Sequence, residues 1–81
     1  MSHFTQLKEQ IQARKFEAME LEVKISNLAE GIRNMIGTRL TLNKQIPFDA
    51  IAGRASEAFM LTKRRIRLQE EIRSAEEELE G

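Results

Sequence analysis

Asn43-Lys44-Gln45-Ile46-Pro47-Phe48-Asp49 holds the chain's single proline, and one pattern of apolar residues runs into this stretch and resumes beyond it. The proline ring blocks helix continuation and pushes Ile46 toward an extended conformation. Upstream, Phe4, Leu7, Ile11, Ala18, Leu21, Ile25, Leu28, Ile32, Met35 and Leu42 are spaced by alternating threes and fours, interrupted at Arg14 and Arg39. Downstream, Ile51, Ala58, Leu61, Leu68, Ile72, Ala75 and Leu79 repeat those steps, interrupted at Arg54 and Arg65. Such spacing is the seam of two long helices packed along each other. It predicts an all-α, coiled-coil-like antiparallel two-helix hairpin filling one domain over 1–81. The helices are expected over about 3–43 and 49–80, with a turn over 44–48. Ser2 suits the first N-cap, and the Asp49 carboxylate suits the start of the second helix.

Composition narrows the setting. A chain of 81 residues buries a smaller fraction of its surface than a larger one, so a lone hairpin is marginal. Cysteine is absent, which excludes disulfide staples and thiolate metal sites. Oligomerisation is the remaining remedy. With 32% charged residues and neither Trp nor Tyr, the composition is that of a coiled coil. No run is long enough to span a membrane, and the N-terminus lacks a basic stretch followed by an apolar one. A cytoplasmic location without membrane association is the expectation.

Reversal near Ile46 and Pro47 opposes residues whose numbers sum to roughly 93. Leu42 then faces Ile51, Ile32 faces Leu61 and Leu21 faces Ile72. Arg65 and Arg14 meet Leu28 and Leu79, with their stems lying across the seam. In this register Arg14 and Lys15 run beside Glu76 to Glu80. Phe4, Leu7 and Ile11 project past the end of the second helix as an unmatched overhang. Each helix also carries apolar residues off the seam: Phe16, Met19, Val23, Ile36 and Leu40 on the first, and Phe48, Ala52, Ala55, Phe59 and Ile66 on the second. Left wet, such surface costs about 25 cal/mol per Å². A second copy would cover it, making a homodimer that forms an elongated four-helix bundle.

Gly31 and Gly37 disturb this reading, because glycine inside a helix costs about 1 kcal/mol relative to alanine. Thr38 to Asn43 also alternates polar with apolar residues, as a strand does. One alternative ends the first helix near Gly37 and uses 38–48 as a loop or edge segment. Close helix packing at Gly31, Gly37 and Gly53 is the other explanation for these glycines.

The residues that carry chemistry argue against catalysis. His3 is the single histidine and stands at the helix end without further ligands. Glu70, Glu71, Glu76, Glu77, Glu78 and Glu80 lack the inward Glu-x-x-His partner of a di-metal bundle. They read as a solvated face. No phosphate-cradling glycine loop and no Ser, His and Asp set is present. The chain is therefore read as a non-enzyme with no cofactor, no metal and no small-molecule substrate.

Lys63-Arg64-Arg65-Ile66-Arg67 is a basic run, in which Lys63, Arg64 and Arg67 are candidate contacts for phosphate or an acidic partner. Against a phosphate role stand the neutral net charge and the acidic stretch that follows, with Glu70 and Glu71 placed to pair with Arg67. The favoured reading is a protein–protein interaction module (adaptor, scaffold or co-chaperone) that acts through self-association and through its apolar helix faces. Phe4, Leu7, Ile11, Phe16, Met19, Val23 and Phe59 are its candidate contact residues, both with itself and with another protein. The alternative is a small dimeric nucleic-acid-binding regulator using 63–67. In architecture alone the hairpin resembles small plasmid copy-number proteins and small secretion co-chaperones, and architecture does not carry function.

Overall fold

The structure, a computed structural model, describes residues 2–42 and 45–80. Two helices account for nearly all of them: α1 (His3–Thr41) and α2 (Phe48–Glu80). They lie against each other in a rod of 61 × 16 × 14 Å. Its radius of gyration is 18.3 Å, where a compact domain of this length would have about 12 Å.

The ends of α1 follow from capping chemistry. Ser2 is extended, and its hydroxyl accepts from the Thr5 amide at 3.2 Å. At the other end the Leu42 amide reaches the Thr38 carbonyl at 3.0 Å, and Arg39 places positive charge in the last turn. The helix runs unbroken through Gly31 and Gly37, and Thr38–Thr41 are helical, so the loop or edge alternative is corrected. Half-buried Leu28, Ile32 and Met35 flank Gly31 on the seam, and their packing offsets its propensity penalty. Nor does the hairpin need them small. A Cβ built at Gly31, Gly37 or Gly53 meets nothing within 4 Å, so close approach between α1 and α2 does not explain them.

The expected end of the first helix at Asn43 and the Lys44 start of the turn lie outside the described residues. Helix α2 starts at Phe48, one residue before the expected start, because the Pro47 carbonyl accepts the first helical bond from the Ile51 amide at 3.1 Å. Asp49 thus sits inside the first turn, where its charge complements the helix dipole.

The register departs from expectation. Arg14 pairs with Glu71 at 3.2 Å, and Arg65 with Glu22 at 3.5 Å. Arg54 reaches the Met35 sulfur at 3.0 Å. Compared with Arg14 facing Leu79 and Arg65 facing Leu28, α2 is displaced by roughly one heptad toward the start of α1. Leu7 now lies level with Leu79 and Ile11 level with Ala75. Leu7 and Ile11 are 7% and 4% exposed, in one cluster with Ala18, Ile72 and Ala75 and with Leu79 packed against it. The overhang expected for Leu7 and Ile11 does not exist, because their own chain covers them. Phe4 stays half exposed, with the Lys8 ammonium 5.6 Å from its ring centroid.

Burial is uneven along the rod. The buried apolar residues, Leu7, Ile11, Ala18, Leu21, Leu68, Ile72 and Ala75, all lie toward the open end. Nearer the turn, Ile25, Leu28, Ile32, Met35, Ile51, Ala58 and Leu61 keep the seam pattern but are half-buried. There the second helix offers Arg54 and Ala58 at seam positions, as it offers Arg65 and Ala75 toward the open end.

Candidate functional site

Residues seven apart share a face in a left-handed pair of helices, so the ion pairs between the helices sort the surface into two sides. Lys15 meets Glu76 at 3.9 Å. Steps of seven from Lys15 reach Glu22, Ala29 and Ile36, and from Glu76 they reach Gln69, Thr62, Ala55 and Phe48. All belong to one flank of the hairpin. Arg64 pairs with Glu17, which defines the other flank together with Lys24, Gly31 and Thr38 on α1 and Glu57, Glu71 and Glu78 on α2.

The two flanks differ in chemistry. On the Lys15–Glu76 side, near the turn, Ile36, Phe48, Ala52, Ala55, Phe59 and Ile66 form an apolar patch without a carboxylate. Phe48, Phe59 and Ile66 are 68%, 61% and 48% exposed. On the Arg64–Glu17 side the surface is mostly charged, with Glu17, Arg64 and Glu71 in ion pairs, although Met60 is 68% exposed there. The strip of Phe16 and Val23 lies on the back of α1, away from the seam, with Met19 between it and the apolar flank. All three are exposed.

The basic run is mostly occupied. Arg64 is held by Glu17, and Arg65 by Glu22. Lys63 sits 4.7 Å from the Phe59 ring centroid, a cation–π contact. Arg67 makes no ion pair among the described residues. Its expected partner Glu71 goes instead to Arg14, which corrects the pairing read from helix spacing. Lys63, Arg64 and Arg67 do share one open groove of about 670 Å³ with Arg14, Glu17 and Glu71, and Phe59 and Met60 border it as well. Two carboxylates thus stand among its cations, which weakens the site for phosphate.

His3 is exposed at the start of α1. Its Nε2 lies 3.3 Å from Glu78 Oε1, so it ties the two chain ends together, with both groups exposed. The register expected from the apolar steps sets Glu78 level with Lys15 instead, far from His3. Lys15–Glu76 and His3–Glu78 also give the acidic end of α2 neighbours that offset its unfavourable position on the dipole. Among the described residues no group of three or more His, Cys, Asp or Glu is arranged to hold a metal ion. No helix is long and apolar enough to cross a membrane. The sequence and structure match no family model, no curated protein and no solved structure.

Proposed function

We propose that this chain is a non-enzymatic interaction module of the cytoplasm that works by associating with itself and then with another protein. The observation that carries this reading is an imbalance between exposed and buried apolar side chains. Ten large hydrophobic residues are exposed among those described, while seven hydrophobic residues are buried, two of them alanines. The chain's accessible surface is 6314 Å², against about 5,000 Å² for a compact monomer of its mass. Surface of this kind drives association. Phe16 and Val23 form the strip best placed for a second protein, since they lie on the back of α1, away from the seam.

Mass measured by light scattering or sedimentation over a wide concentration range tests the reading. The expected result is a species of two chains that dissociates only on strong dilution. A single folded chain at every concentration refutes self-association.

The second reading, a nucleic-acid-binding regulator, draws on the groove shared by Lys63, Arg64 and Arg67. It ranks below the first because Arg64 is engaged by Glu17. Retention on immobilised DNA or RNA that weakens steeply with salt would support it, and no retention at low salt removes it.

A further inference from the structure

We propose that the flank bearing Phe59 and Ile66 is where a second copy of this chain docks, with both hairpin turns at the same end of the assembly. This deepens the self-association reading above and rests on it. Three observations lead to a second copy in this orientation.

The first is area. Two separate hairpins of 6314 Å² each expose about 4,000 Å² more than a compact protein of twice the mass. That excess falls within the range of about 2,000–5,000 Å² buried in obligate homodimers.

The second is shape. A two-fold axis along the rod keeps every residue at its own height, so residues level within one hairpin are also level across the interface. It places α1 of one copy against α2 of the other. Phe59 then falls near the small Ala29 of the second copy, and Ile36 near its Ala52. Ile66 falls beside the flexible side chain of Met19. Large side chains thus meet small or adaptable ones.

The third is charge. In the same arrangement Lys15 of one copy approaches Glu76 of the other, opposite signs on the same flank that already pair within each chain. The alternative two-fold axis, across the rod, lays α1 on α1. It brings Glu22 toward Glu22 when the rods overlap fully, or Arg33 toward Arg33 when only the turn halves overlap. Like charges at the centre of an apolar contact oppose that arrangement.

Two measurements test the proposal, and both use the full chain. In sedimentation, Phe59→Glu is expected to raise the dimer dissociation constant by at least about 100-fold, because it places an unpaired charge in the contact. Met60→Glu, at an equally exposed neighbouring position on the opposite flank, is expected to change it less than about 3-fold. Circular dichroism at high concentration checks that both variants remain helical. The chain has no cysteine, so a spin label at exposed Gln45→Cys reports orientation without interference. Turns at the same end put the two labels about 20 Å apart, two helix diameters. A separation near the 61 Å length of the rod overturns the arrangement. A dimer indifferent to Phe59→Glu overturns the assigned face but leaves self-association standing, whereas a wild-type monomer at all concentrations overturns both.

Discussion

The two halves of this hairpin share one heptad pattern and reach different states of packing. At the open end, Leu68 and Ile72 meet α1, and seven apolar side chains are buried. Four ion pairs between the helices flank them, Arg14–Glu71, Lys15–Glu76, Glu17–Arg64 and Glu22–Arg65, with the His3–Glu78 contact at the very end. Toward the turn, the seam receives Arg54 and Ala58 from α2. No residue described there is buried, and the ion pair found there, Glu30–Arg33, lies within α1. Heptad spacing therefore specifies that two helices pair. It does not by itself decide how completely the pair is buried.

The largest expected effect comes from emptying the packed half. Ile11→Ala removes a side chain that is 4% exposed and should destabilise the protein by about 2–4 kcal/mol in urea unfolding. Leu61→Ala, at the half-buried end, should cost less than about half as much at concentrations where the protein is monomeric. Equal losses at the two sites would erase the distinction between the halves. A smaller effect of opposite sign is expected at the glycines. Gly31→Ala and Gly53→Ala add a Cβ that meets nothing within 4 Å, and each should stabilise the helix by about 0.5–1 kcal/mol without changing the oligomeric state. The smallest effect belongs to the surface charges. Lys15→Ala, in a pair exposed on both sides, should shift stability by less than about 1 kcal/mol, and less again in high salt.

Much of the architecture is legible in the residues themselves. Pro47 marks the reversal, Ser2 marks the first cap, and the apolar steps mark which positions face the partner helix. The register is not legible in the same way. Sliding one helix by seven residues again places apolar positions opposite apolar positions, so the pattern alone cannot separate the alternatives. Pairing charge with charge carries part of the missing information. Arg14 against Glu71 and Arg65 against Glu22 select the observed alignment, whereas the other sets Arg14 against Leu79. The exposed strips at Phe16, Met19, Val23 and Phe59 were readable because they fall off the seam. The contrast between an apolar and a charged flank was not, since it depends on which residues of α2 stand beside which residues of α1.

The His3–Glu78 contact has a topographic consequence. Both ends of the described chain emerge at one pole of the rod, while the turn caps the other. Anything fused before His3 or after Glu80 would hang from that pole and leave the turn unobstructed. In the paired arrangement proposed above, four such attachment points would crowd together, making the molecule a short mast with all its tethers at the foot.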